Sequence, residues 1–162
     1  MFRPQLGVSL HTLSTDLTGE LMEAIVASRI ATLELSARLF EDQARQDTIA
    51  LLRQRLGNGV RPMTIHALFG GSYDFSVLDE PARQRALAAV DISIDLAVQL
   101  NVPMIVMHAS AEPVTPSERP QRFERAQAAL AEIGERCQKT GQRIAVELLP
   151  RTCLGNTVEE LL

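Results

Sequence analysis

The chain holds three histidines, and each stands at the end of a short apolar run. His11 follows "LGVSL" at 6–10, His66 closes "PMTIH" at 62–66 and His108 closes "PMIVMH" at 103–108. Two glutamates occupy similar places, Glu34 in "ATLEL" at 31–35 and Glu147 in "RIAVEL" at 143–148. Imidazole nitrogens and carboxylate oxygens that converge on one point ligate divalent ions of the zinc, manganese or cobalt kind. A carboxylate beside such an ion can also move protons. Each residue has a plainer reading as well. A lone histidine at a strand end is commonly a hydrogen-bonded structural residue, a reading weakened when all three fall at the same kind of place. A one-residue register slip would turn Glu34 toward the packing helices, so pocket lining and structural pairing both stay open for it. Glu147 is harder to read as structure, because an isolated carboxylate late in an apolar strand needs a cation or a proton. Nucleophilic catalysis has less support. Ser9 and Ser36 lie in no elbow motif, and Cys153 sits in a loop with no evident base.

Whether these groups meet depends on the elements that carry them. The five apolar runs are too short for typical helices and are bounded by turn signals or charge, so they read as strands. Their near-continuous apolarity predicts strands buried on both faces, as in a parallel sheet. Helical spacing fills the intervals. Leu21, Met22, Ile25 and Val26 mark one face of 18–29, and Ile49, Leu52 and Leu56 mark one of 43–56, with Gly57 and Gly59 as a stop. Segment 80–100 carries Leu87, Val90, Ile94 and Ala97, with Asp79 as N-cap and Pro81 in the first turn. Segment 118–139 carries Phe123, Ala126, Leu130, Ile133 and Cys137, and Gly141 ends it. Thr157 and Glu160 in "TVEE" form a capping-box pattern that announces a fifth helix. The three prolines of 110–120 mark a long loop after the fourth strand.

Strand–helix alternation with short connections implies an α/β fold with a parallel sheet, either open and doubly wound or closed as a (β/α) barrel. "LHTLSTD" after the first strand has no glycine-rich phosphate loop, which counts against a dinucleotide-binding sheet. In both architectures ligands bind at the C-terminal strand edge, where all five ionisable groups fall.

The totals narrow the class. With 162 residues and 46% hydrophobic content the chain builds one domain with a core. A net charge of −4 speaks against a nucleic-acid partner, although 15 of the 16 basic residues are arginine. Arg119, Arg122 and Arg125 are the one local cluster and read as a solvated helix face. Cys137 and Cys153 read as two reduced thiols. No run approaches the roughly 20 apolar residues of a membrane span, and no basic-then-apolar leader precedes the first strand. The expectation is a soluble, cytoplasmic protein.

The segments "GVSLHTLS", "ATLELSA", "TIHALFGGSYDFS", "MIVMHAS" and "VELLPRTCLGNTVEELL" resemble successive strand ends of the xylose-isomerase-like TIM barrels. That superfamily includes sugar and sugar-phosphate isomerases and epimerases, and DNA-repair enzymes of the endonuclease IV type. The resemblance implies a parallel barrel with a divalent metal (Mn, Zn, Co or Mg) at its C-terminal mouth. It implies a metal-ligand role for Glu147, which in the epimerases also serves as acid/base. His66 and His108 match histidines that bind additional zinc in the endonuclease branch and line the sugar pocket in the isomerase branch. His11 matches a pocket-facing position, and Glu34 would add specificity. Arg151, in the loop after strand 5, would contact a phosphate or a sugar hydroxyl unless it is simply a surface arginine. The implied reaction is metal-dependent isomerisation or epimerisation of a sugar or sugar phosphate through an enediolate.

Such a barrel has about 250 residues. The expectation is therefore a partial barrel of five strands and four helices, a single domain over 1–162 that is C-terminally incomplete and inactive by itself. The further ligands implied for strands 6, 7 and 8 have no counterpart here. Two rivals follow: a metal-dependent repair nuclease, and a non-catalytic half-barrel that associates with itself or with a partner.

Overall fold

The computed structural model describes residues 6–14, 16–40, 45–56 and 59–162. Five strands, β1 (Gly7–Ser9), β2 (Thr32–Ser36), β3 (Arg61–His66), β4 (Met104–Met107) and β5 (Arg143–Val146), alternate with helices α1 (Gly19–Ser28), α2 (Arg45–Arg55), α3 (Glu80–Gln99), α4 (Arg119–Thr140) and α5 (Val158–Leu161). The strands form one sheet in the order β1-β2-β3-β4-β5, and every neighbouring pair is parallel. That order decides between the two architectures. A doubly wound sheet reverses its strand order at a switch point. Here each new strand adds to the same side, as in a (β/α) barrel. The fold is a partial TIM-type barrel.

The local signals act as their chemistry predicts. Asp79 accepts from the Ala82 N–H and caps α3, with proline in the first turn. Gly141 caps α4 in the left-handed region, at φ 86°. Ile49 and Leu52 of α2 are buried. Gly57 and the first two residues of the 43–56 prediction lie outside the described residues. No helix among the described residues is long and apolar enough to cross a membrane.

Burial departs from expectation on one face. Leu33, Leu35, Ile65, Ile105 and Met107 are at most 2% exposed and pack against the helices. The alternate residues Glu34, Thr64, His66, Val106 and Ala145 are only half-buried. The strands are thus covered on the helix side and partly open on the barrel-lumen side. Their apolarity comes mainly from the helix side, while the lumen side carries Glu34, Thr64 and His66 beside Val106 and Ala145.

Gly155, in the loop between β5 and α5, has φ 71°. A Cβ built there would stand 2.8 Å from Leu161 Cδ2. Gly155→Ala should therefore cost at least about 1 kcal/mol from backbone strain and the clash together. A chemical-denaturation midpoint equal to that of the parent chain would rule this out.

Candidate metal centre

Three side chains meet at the C-terminal edge of the sheet because of strand periodicity. Side chains two residues apart share a face. His66 pairs with Val106 across β3 and β4, and Val106 with Ala145 across β4 and β5. His108 stands two residues beyond Val106, and Glu147 two beyond Ala145, so all three point to the lumen. Glu147 follows the last residue of β5, yet its N–H donates to the Met107 carbonyl at 2.9 Å and extends the ladder by one bond.

His66 reaches this face through an irregularity. Leu33 pairs with Pro62, but the next residue, Glu34, pairs with Thr64, which leaves Met63 as an extra residue. Proline lacks an N–H for the ladder, and a bulge accommodates it. Without the bulge every later side chain of β3 would face the other way. Ile65 would enter the lumen and His66 would be driven against the helices.

The resulting geometry suits a cation. Glu147 Oε2 lies 3.3 Å from His66 Nε2 and 3.4 Å from His108 Nε2. The three potential ligand atoms all lie within 4.8 Å of one another. His66 Nδ1 is 2.8 Å from the Ala67 carbonyl, which can only accept, so this nitrogen carries the proton. In the neutral ring the Nε2 lone pair then faces a carboxylate oxygen. Two acceptors at that distance call for a proton or a metal ion between them. One carboxylate and two imidazoles, the first oriented by a backbone carbonyl, form a donor set that fits zinc, cobalt or manganese and leaves coordination positions for substrate oxygens.

Burial, and after it the neighbouring His66, push the His108 pKa below its ordinary 6.5, while Glu147 pulls it up. A depressed value keeps the imidazole neutral and ready to ligate. It also makes stability pH-dependent in a defined sense. Between the folded pKa and 6.5 the unfolded chain binds more protons, so stability rises with pH across that window and falls on acidification. Urea midpoints measured without metal should therefore decline as the pH drops below 6.5, and His108→Asn should flatten the decline. An undiminished slope in His108→Asn would assign the effect elsewhere.

Around these groups lies a cleft of about 450 Å³ that also takes in Ser9, His11, Glu34 and Ser36. Glu34 faces the lumen and accepts from Thr64 Oγ1 at 3.0 Å, so it is both a cleft residue and hydrogen-bonded to its cross-strand neighbour. His11 is exposed in the short 3-10 turn Leu10–Thr12, edge-on to Phe69 with ring centroids 6.2 Å apart. Arg151 does not line the cleft. Its guanidinium pairs with Glu112 at 2.6 Å, in the loop after β4, and its side chain is 72% exposed.

Several groups that the sequence left unmarked shape the site. Phe69 packs against both imidazoles, its centroid 5.0 Å from those of His66 and His108. The Arg38 guanidinium carbon lies 4.7 Å from the Phe69 centroid, and Nη2 donates to the Phe69 carbonyl at 2.9 Å. An aromatic followed by two glycines, three residues after a strand-end histidine, was the available signal for Phe69.

The expected solvated face of Arg119, Arg122 and Arg125 is corrected. Arg122 is 7% exposed and donates to Asp74 Oδ2 at 2.5 Å and to Ser76 Oγ at 3.0 Å. Arg119 donates to both oxygens of Glu160, at 2.9 and 2.7 Å, and to the Thr152 and Cys153 carbonyls. Arg125 pairs with Glu80 at 2.8 Å. All three point at named acceptors, because the helix start is roofed by the loops after β3, β4 and β5. Glu160 is correspondingly diverted. Thr157 accepts from the Glu160 N–H as a cap should, but the Glu160 carboxylate holds Arg119 and the Gly155 N–H. Cys137 and Cys153 are free and buried, and burial, with Glu112 next, raises the Cys153 thiol pKa. That thiol is a poor nucleophile.

A family model described as xylose isomerase-like TIM barrel matches residues 24–162. No curated protein matches the chain. Among solved structures, a D-tagatose 3-epimerase-like protein is similar with a TM-score of 0.80 and 22% identity, over 98% of this chain and 58% of that one. D-psicose 3-epimerase from Clostridium cellulolyticum H10, solved with D-tagatose, is similar with a TM-score of 0.78 and 19% identity, over 97% of this chain and 57% of that one. An IOLI protein with a bound zinc atom is similar with a TM-score of 0.71 and 15% identity, over 98% and 56%. The chain spans somewhat more than half the length of these structures.

Proposed function

The chain belongs to the xylose isomerase-like TIM barrel family, and from that premise and the cleft we propose a metal-dependent sugar or sugar-phosphate isomerase or epimerase. The observation that carries the proposal is the meeting of His66, His108 and Glu147 within 4.8 Å at the C-terminal sheet edge. The similarity to ketose 3-epimerases and to a zinc-bound relative supports it.

In this reading His66, His108 and Glu147 hold the ion through Nε2, Nε2 and a carboxylate oxygen. A bound divalent ion supplies positive charge that eases removal of a proton next to a carbonyl, the step toward an enediolate. Glu147, with a side chain 43% exposed, has a second oxygen with which to take that proton and return it. Glu34 accepts from a sugar hydroxyl with the oxygen that Thr64 does not occupy. The Phe69 ring packs the imidazoles from one side and bars water from that quarter of the site. The same exposure that admits a sugar also admits water. This chain by itself is therefore proposed to bind metal and ketose while turning over slowly.

The repair-nuclease alternative loses its electrostatic footing, since a phosphate backbone needs available cations and the α4 arginines are engaged internally. The test of the isomerase reading is incubation with D-fructose or D-tagatose in D₂O, with and without Mn²⁺, followed by NMR and calorimetry. Ion-dependent ketose binding with exchange of the C–H beside the carbonyl is the expected outcome. A chain that takes up no ion and shows no ion-dependent ketose binding would exclude this function.

A further inference from the structure

We propose that Arg38, braced on the cleft residue Phe69, binds a terminal phosphate, so that the preferred substrate is a phosphorylated ketose rather than the free sugar. The inference rests on the isomerase reading and narrows its substrate class.

Three observations carry it. First, Arg38 is exposed, yet it is held in place. Its guanidinium lies over the Phe69 ring and one terminal nitrogen is tied to the Phe69 carbonyl. A stacked, hydrogen-bonded guanidinium has already lost much of the rotamer freedom that an exposed arginine keeps, so an incoming anion has less ordering to impose. Second, no ion pair among the described residues takes up its charge. Among the described residues no carboxylate lies within ion-pair distance of Arg38, whereas Arg151, in the loop after β5, is paired with Glu112. A guanidinium carries five N–H donors in a fork, and here one terminal nitrogen is engaged by a neutral carbonyl. The rest of the fork matches the spacing of phosphate oxygens.

Third, the distance suits a sugar chain. The guanidinium carbon is 4.7 Å from the Phe69 centroid, which is 5.0 Å from the centroids of His66 and His108. Arg38 therefore lies no more than about 10 Å from either imidazole. A ketose whose carbonyl end sits at His66, His108 and Glu147 brings its far carbon, and a phosphate on it, into that range. Ser36 lines the cleft two residues before Arg38, and its Oγ accepts from the Arg38 backbone N–H at 3.4 Å. His11, on another side of the same ring, is placed to add a second donor.

The experiment titrates D-fructose and D-fructose 6-phosphate into the Co²⁺-loaded chain by calorimetry, for the parent, Arg38→Gln and Arg38→Lys. Cobalt absorption monitors the ion site in the same samples. The parent should bind the phosphate ester about 10- to 100-fold more tightly, the range a charge-assisted hydrogen-bond pair supplies. Arg38→Gln should abolish the preference while leaving cobalt and free fructose binding in place. Arg38→Lys should keep part of it, because it retains charge without the fork. A parent chain that binds both sugars equally, or a preference that survives in Arg38→Gln, overturns the assignment and leaves the isomerase reading standing. Failure of both sugars to bind the ion-loaded chain removes the two together.

Discussion

Glu147→Gln is expected to weaken Co²⁺ or Zn²⁺ binding by more than the 10- to 100-fold typical of losing an outer-shell partner, because a ligand itself is lost. The substitution keeps the shape of the side chain and removes its charge. The site is open, with the Glu147 side chain 43% exposed, so no core packing is disturbed. Among the described residues its carboxylate pairs with the two imidazoles, His66 at 3.3 Å and His108 at 3.4 Å. In the variant an amide N–H₂ can donate to the same Nε2 lone pairs that would hold the ion, so the protein satisfies itself internally and competes with metal. His66→Asn should weaken binding too, through loss of the ring whose Nδ1–H is fixed by the Ala67 carbonyl. Cobalt absorption gives the affinity, and thermal unfolding without metal shows whether the fold persists. A Glu147→Gln chain that binds cobalt as tightly as the parent would place the ion somewhere else. A chain that loses affinity together with its thermal transition would assign Glu147 to stability.

The sequence makes some of this legible, for reasons that differ from residue to residue. Asp79 through its carboxylate, and Pro81 and Gly141 through their backbones, act within one helical turn, so the start of α3 and the end of α4 can be read locally. That His66, His108 and Glu147 fall at one strand edge could be anticipated, because strand ends are marked in the chain itself. The face on which His66 emerges could not. It depends on the bulge at Met63, a register event between two strands separated by α2. Arg122 and Asp74 are 48 residues apart, and their pairing exists only once α4 and the loop after β3 are packed together. The spacing of Arg119, Arg122 and Arg125 on one helix face was readable, but what covered that face was not. Phe69 and Arg38 belong to the same class, since a stacked pair 31 residues apart leaves no local periodicity.

Arg122→Met is the other substitution expected to act strongly, and it acts on stability first. Asp74 is 5% exposed and accepts from Arg122, the Ser76 N–H and hydroxyl, and the Ala111 N–H. Removing the guanidinium leaves an ionised carboxylate in the interior with neutral donors only. Breaking a buried pair in this one-sided way costs about 3–5 kcal/mol, a large part of the roughly 5–15 kcal/mol that holds a domain together. Asp74→Asn in the same chain removes the orphaned charge and should restore part of the loss. Arg125→Ala is the control, because its partner Glu80 is exposed and solvent already screens that pair. Denaturation of the three variants should rank Arg122→Met lowest, the double variant between, and Arg125→Ala near the parent. If Arg122→Met proves as mild as Arg125→Ala, the Asp74 network does not hold the fold. The consequence reaches the cleft, because Asp74 ties α4 to the loop that carries Phe69 and, through the Ala111 N–H, to the loop that follows His108. A chain with Arg122→Met should thus bind cobalt more weakly even where it remains folded, with recovery in the double variant. Arg119, clamped to Glu160 and to the Thr152 and Cys153 carbonyls, ties the same helix start to the loop that follows Glu147.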